Sequence, residues 1–180
     1  TSKASTLFNR ALSAAEVLSL YQNGIDEADK WGSQTAVYTS DFSAGVDSWA
    51  AGKGTVTGNI DGIGGVDNVL RYYASAEAGT HYALSAVGTI ATGKYHKVSI
   101  TYFLPSTNTN LKSAKLRLGN VVTDKDGNTV TLDVADAWTT TERVFYGTGI
   151  SDGRIELDFL TTGGVSSWTG AGVDTDDLFY

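Results

Sequence analysis

Lys97-Val98-Ser99-Ile100-Thr101-Tyr102 alternates strictly, with Val98, Ile100 and Tyr102 on one side and Lys97, Ser99 and Thr101 on the other. Successive side chains of a strand point to opposite faces, so this run reads as a half-buried β-strand. The same alternation recurs along the chain. Leu70 and Tyr72 alternate with Arg71 and Tyr73, and Tyr82, Leu84 and Ala86 with Ala83 and Ser85. Leu116 and Leu118 alternate with Lys115 and Arg117; Val130, Leu132 and Val134 with Thr131 and Asp133; Ile155, Leu157 and Phe159 with Glu156 and Asp158. Turn signals separate these runs: Asp61-Gly62, Gly64-Gly65, Asp126-Gly127-Asn128, Asp152-Gly153 and Gly163-Gly164. Many short strands with regular turns, and no long helical pattern between them, predict an all-β sandwich or jelly roll from about Val37 onward.

Composition agrees. Gly is 21 of 180 residues and Pro is 1, so turns are made by glycine while the strands stay free of proline. The chain is long enough to bury a core without cross-links. It has no Cys, which excludes disulfides and thiolate zinc sites. A net charge of −7 with 13 Lys+Arg speaks against nucleic acid as a partner. No apolar run is long enough for membrane insertion as a helix, and no signal peptide is visible. There is no Met, at position 1 or elsewhere, so the chain is expected to be processed or part of a longer protein.

The first 24 residues read differently. Ser13-Ala14-Ala15-Glu16 forms a capping box, Leu12 and Val17 a hydrophobic staple, and Val17, Leu20 and Tyr21 one apolar helix face, ended by Gly24. A short helix of this kind needs a surface to dock on. The words Phe8-Asn9-Arg10-Ala11-Leu12-Ser13-Ala14-Ala15-Glu16-Val17, with Leu20-Tyr21 and Gly24, resemble the C-terminal end of a concanavalin A-like, laminin G-type lectin domain. The resemblance implies that residues 1–24 close a preceding domain, with 25–37 as an acidic linker that Trp31 anchors.

Residues 38–180 resemble the jelly-roll carbohydrate-binding modules of the family 4/9/22 group at four places. These are Asp41-Phe42-Ser43-Ala44-Gly45-Val46-Asp47-Ser48-Trp49, Ala91-Thr92-Gly93-Lys94-Tyr95-His96-Lys97-Val98-Ser99, Ala137-Trp138-Thr139-Thr140-Thr141 with Phe145, and Asp174-Thr175-Asp176-Asp177-Leu178-Phe179-Tyr180. The resemblance implies a sheet face that holds a glycan, and a structural Ca²⁺ between the first strand, the next loop and the last strand. Its ligands would be Asp41, Asp61 and Asp177, with Asp176 as alternative. Ser43 stands where the family usually has Glu, which weakens that ion site.

Each candidate has a plain structural counterpart. Trp49 and Trp138 fall at motif positions that are normally core. Trp168 sits in a glycine-rich loop, where its ring can stack on a sugar or anchor a protein interface. Tyr73, Tyr82 and Tyr102 are candidates for one ligand-binding sheet face, though most strand tyrosines are core. Asp124-Lys125-Asp126-Gly127-Asn128 lacks the Gly and Glu an EF-hand loop needs at its sixth and twelfth positions, where Thr129 and Ala135 stand; it reads as a hairpin turn. His81 and His96 lie in strand-like runs without a nucleophile motif. Glu77, Glu142 and Glu156 are the carboxyls from which an opposed glycosidase pair would have to come, and nothing in the pattern pairs them.

Two functions remain. One is a non-catalytic module that binds a polysaccharide or cell-surface glycan. The other is a virion structural protein whose sandwich packs against other virion subunits. Both expect an extracellular or virion-surface location. Exposed aromatics favour the first, and buried or apolar replacements the second.

Overall fold

The computed structural model describes residues 36–75, 78–147, 153–161, 167–168 and 177–180, with the side chains of 167–168 excepted. The chain divides into two compact units, Thr1–Ala36 and Val37–Tyr180, and apart from Ala36 the described residues belong to the second. The expected N-terminal helix, residues 25–35 of the linker, including Trp31, and also Glu77 and Asp176, lie outside them.

Twelve strands are described: β1 (Trp49–Ala51), β2 (Thr55–Ile60), β3 (Val69–Tyr73), β4 (Gly79–Thr80), β5 (Tyr82–Ala86), β6 (Tyr95–Tyr102), β7 (Ser113–Leu118), β8 (Val130–Leu132), β9 (Thr139–Tyr146), β10 (Arg154–Leu160), β11 (Ser167–Trp168) and β12 (Leu178–Phe179). The alternation in the sequence therefore becomes strand at every run named above. Val134 is the exception: β8 ends at Leu132, and Val134 is exposed.

One sheet has the order β1-β5-β10-β7-β8. The other is built from β12-β3-β2 and β6-β9. Reciprocal backbone bonds between Phe103 and Tyr180, at 2.8 and 3.0 Å, join these two pieces into the run β2-β3-β12-β6-β9. The short pair β11-β4 lies beside the start of β5. Among the described strands every ladder pairing is antiparallel, which short Gly-turned connections permit.

The core fills the space between the sheets. Ala83, Leu157, Leu116 and Val130 form one register row of the first sheet, and Phe159, Ala114 and Leu132 the next. From the second sheet come Tyr72, Val98, Tyr102, Phe145 and Phe179. Tyr72 stacks on Phe159 with centroids 3.9 Å apart, and Phe159 meets Phe179 at 5.3 Å, so Phe159 touches two strands of the opposite sheet. The fold is an all-β jelly-roll sandwich.

Trp49 is buried at 7% exposure, in line with a core position. Trp138 is not a core residue. It is half-buried, donates from Nε1 to the Ile63 carbonyl at 3.0 Å, and packs on Phe103. The 124–128 segment is the hairpin turn its sequence predicts: Asp124 N donates to the Asn128 carbonyl, and Asp124 Oδ1 accepts from Asp126 N and Asn128 N.

Candidate functional site

In β5 the small residues Ala83 and Ser85 point into the core, so the larger Tyr82 and Leu84 point outward. Strand β10 behaves in the same way, with Ile155, Leu157 and Phe159 inward and Glu156 and Asp158 outward. In β7, Lys115 and Arg117 face outward. Register then fixes the outward neighbours. Ala50, Leu84, Glu156 and Arg117 form one row across four strands. Tyr82, Asp158, Lys115 and Thr131 form the next.

These charges hold one another. Arg117 Nη1 is 3.1 Å from Glu156 Oε1 and 3.1 Å from Asp158 Oδ2, and Arg154 Nε lies 2.9 Å from Glu156 Oε2. Glu156 is only 6% exposed although it faces outward. Burial, its hydrogen bond with Asp158 and that neighbour's charge raise the Glu156 carboxyl above the ordinary glutamate range, while Arg117 and Arg154 pull against the rise. Arg117 Nε is buried without a partner among the described residues. Partly buried ion pairs contribute little net stability, because desolvation offsets their attraction. On an outward face, where simple polar residues would serve the fold, such a lattice is a candidate binding surface. It presents fixed charged donors and acceptors, which make stronger hydrogen bonds than neutral groups. Tyr82 supplies an aromatic face beside them. Gly52 sits under its ring, so closely that a Cβ there would overlap it.

The four candidate aromatics do not share a face. Tyr82 belongs to the site just described. Tyr73, half-buried, pairs with Thr55 and Leu178 in the other sheet. Tyr102 is 1% exposed, stacked on Phe179, and its hydroxyl accepts from Val134 N; as a core residue its ring cannot meet a ligand. Trp168 lies in a short strand, not in a loop. It pairs with Gly79, which brings its backbone beside the segment leading into Tyr82.

The three candidate calcium ligands are not gathered. Asp41 Oδ1 accepts from the Ser43 backbone and hydroxyl, which lowers its pKa. Asp61 Oδ1 accepts from Asn68 N. Asp177 is 1% exposed and accepts from the backbone N–H groups of Thr109, Asn110 and Leu111. Among the described residues no three His, Cys, Asp or Glu are placed to hold a metal. Asp41 and Asp61 anchor local chain turns, the plain reading of Asp in such sequence contexts, while Asp177 ties a distant turn to the end of the chain.

Of the carboxyls that sequence singled out, the two described ones, Glu142 and Glu156, lie on different sheets. Glu142 faces outward on β9 and pairs with Lys97 at 2.9 Å, whereas Glu156 faces outward on the other sheet. His81 is fully buried, with Nδ1 2.8 Å from the Tyr72 hydroxyl, and His96 Nε2 lies 3.0 Å from the Ala91 carbonyl. Arg117, Arg154 and Asp158 were not singled out by sequence. The signal was present: charges alternating with Leu in β7 and β10 mark two outward rows, but only register shows that the rows adjoin.

No family model matches the sequence, and no curated protein matches it. Solved structures do. The CBM22-1 xylan-binding domain of Paenibacillus barcinonensis Xyn10C has a TM-score of 0.50 at 12% identity, over 79% of this chain and 87% of that one. The C-terminal family 22 carbohydrate-binding module of Clostridium thermocellum Xyn10B has a TM-score of 0.48 at 17% identity, over 79% and 87%. At these identities the likeness is one of fold: the Paenibacillus domain and this chain share a jelly-roll β-sandwich.

Proposed function

We propose that the second unit is a non-catalytic module that binds an extracellular polysaccharide on the outward face of the β1-β5-β10-β7-β8 sheet. The observation that carries this reading is the half-buried Arg117–Glu156–Arg154–Asp158 lattice beside Tyr82. Sugars offer a rim of hydroxyls, each both donor and acceptor, around a weakly apolar C–H face. Charged side chains already held by one another grip hydroxyls with little ordering cost, and a tyrosine ring covers the C–H face. The two carboxylates of the lattice are matched by its two arginines, which suits a neutral chain. Xylan, which the Paenibacillus domain is named for binding, is the first probe.

The test is calorimetry of the full chain with soluble xylan, a β-glucan and an α-glucan, each with calcium and with a chelator. At least one polymer should bind, and Tyr82→Ala and Glu156→Gln should each weaken it by about tenfold, roughly 1.4 kcal/mol, without unfolding. Binding by neither the native chain nor any variant, or equal binding by all, would sink the proposal. A chelator effect would show that an ion supports the site.

A further inference from the structure

The most exposed aromatics among the described residues are on the other sheet. Tyr95 is 49% exposed and Tyr146 37%. They are direct cross-strand partners in the β6–β9 ladder, with ring centroids 4.9 Å apart and planes inclined at 47°. We infer that Tyr95 and Tyr146 form a second sugar-stacking platform, for a neutral polysaccharide chain, on the outward face of the β6–β9 ribbon. The inference goes beyond the site proposed above and is separable from it.

The platform is held firmly. Just beyond the pair, Gly93 N donates to the Gly147 carbonyl and Gly147 N to the Lys94 carbonyl, both at 2.8 Å. On the outer edge, Lys125 N donates to the Val144 carbonyl at 2.7 Å, so the hairpin that carries Lys125 backs β9. Two rings on a fixed ladder lose little freedom when a ligand arrives.

The neighbours say what the ligand is. Outward from the tyrosines run Lys97 with Val144, Ser99 with Glu142, and Thr101 with Thr140. Lys97 and Glu142 pair at 2.9 Å, and the two threonine hydroxyls bond at 2.8 Å. A protein interface gathers a contiguous apolar centre. Here the apolar part is two rings and a half-buried valine, continued by hydroxyls and a neutralised charge pair. That sequence of groups matches a sugar chain, with C–H faces over the rings and hydroxyls over the polar rows. From Tyr95 to Thr101 the strip is roughly 20 Å long, room for several sugar units. The inclination of the rings suits a single twisting chain, because a flat crystalline surface would need coplanar rings.

The two platforms face away from each other across the sandwich. One extended chain cannot lie on both, so the module would hold two chains at once.

The test titrates the isotopically labelled full chain with soluble xylan and β-glucan oligomers, following backbone amide shifts. The expected result is two separate sets of shifted amides, one on β5 and β10 and one on β6 and β9. The double variant Tyr95→Ala/Tyr146→Ala should lose only the second set. Its apparent affinity for a long, surface-immobilised polymer should fall at least about tenfold, because avidity is lost. The ring-preserving Tyr95→Phe/Tyr146→Phe should retain the second set. Shifts confined to β5 and β10, with unchanged polymer binding by the alanine variant, would overturn this inference and leave the first site standing. Shifts confined to β6 and β9 would do the reverse. No shifts anywhere would overturn both. Self-association that the alanine variant abolishes, with no oligomer shifts on β6 and β9, would assign the pair to a second copy of the chain instead.

Discussion

Asp177 is a buried carboxylate whose oxygens accept from three consecutive backbone N–H groups, Thr109 to Leu111. Next to it, Asn108 uses both ends of its amide on the backbone of Leu178, donating from Nδ2 to the carbonyl at 2.7 Å and accepting from the N–H at 2.9 Å. Together they tie the 108–111 turn to the last strand. Removing the carboxylate takes its acceptor from the fully buried Leu111 N–H and loosens the turn from the last strand. Asp177→Ala is therefore expected to cost about 1–3 kcal/mol, the range for one unsatisfied buried group. Urea unfolding reads this directly, and a cost under about 1 kcal/mol would mean that water replaces the carboxylate. Tyr72 carries a second buried knot. Its hydroxyl donates to the Lys53 carbonyl at 2.9 Å and lies 2.8 Å from His81 Nδ1. Burial pushes its phenol well above the usual range, so it remains a donor.

At the scale of elements, the position of Tyr82 depends on β1 running out into Gly52. Gly52 N donates to the Tyr82 carbonyl at 3.0 Å, which continues the β1–β5 ladder by one residue. Its missing side chain is the space the tyrosine ring occupies. The atoms a Cβ there would meet first belong to the movable Tyr82 ring. Gly52→Ala should thus shift Tyr82 and weaken polysaccharide binding by an amount close to Tyr82→Ala, while stability changes by less than about 1 kcal/mol. Calorimetry beside thermal melts separates the two effects. Intact binding together with a large stability loss would show that the backbone moved instead. Strand β10 has the densest role. Its inward residues fill the core and its outward residues build the charged lattice, so one strand serves both stability and binding.

For the whole molecule, Phe159 joins the sheets through Tyr72 and Phe179. Phe159→Ala should cost about 3–5 kcal/mol, as truncated core aromatics do. Circular dichroism and aromatic fluorescence should then lose structure in one transition; separate transitions would mean the sheets unfold independently. The lattice adds a pH dependence. A glutamate raised in the fold holds its proton where the unfolded chain has released it. Its contribution to stability is therefore full below its ordinary value of 4.5 and is lost as pH rises through the folded value. Glu156→Gln should flatten the stability profile from about pH 4.5 upward relative to the native chain, as urea midpoints across that range would show. A parallel pair of profiles would refute the assignment.

Much of the architecture was legible in residue order alone. Alternation of the Lys97–Tyr102 kind is a local property, set by the period of the backbone; it named β3, β5, β6, β7, β8 and β10, and with the turn residues the hairpin at Asp124–Asn128 and the sandwich class. Alternation does not say which of its two sides is inside. In β5 the small Ala83 and Ser85 went in and Tyr82 came out, because large neighbours such as Phe159 and Leu157 already fill the space between the sheets. Tyr102 went inward instead, where its ring fills space beside Phe179 and stacks on it. Of the aspartates expected as ion ligands, Asp41 and Asp61 are exposed and accept from nearby backbone N–H groups, whereas the buried Asp177 takes the donors the fold brings to it. The lattice of Arg117, Glu156, Arg154 and Asp158 joins residues 117 to 158, and the Tyr95–Tyr146 pair joins residues 95 to 146. Strand identity is written along the chain. Which strands lie side by side, and in what register, is decided by closing loops that let both sheets bury their apolar faces at once, so the sites that depend on register exist only in the tertiary structure.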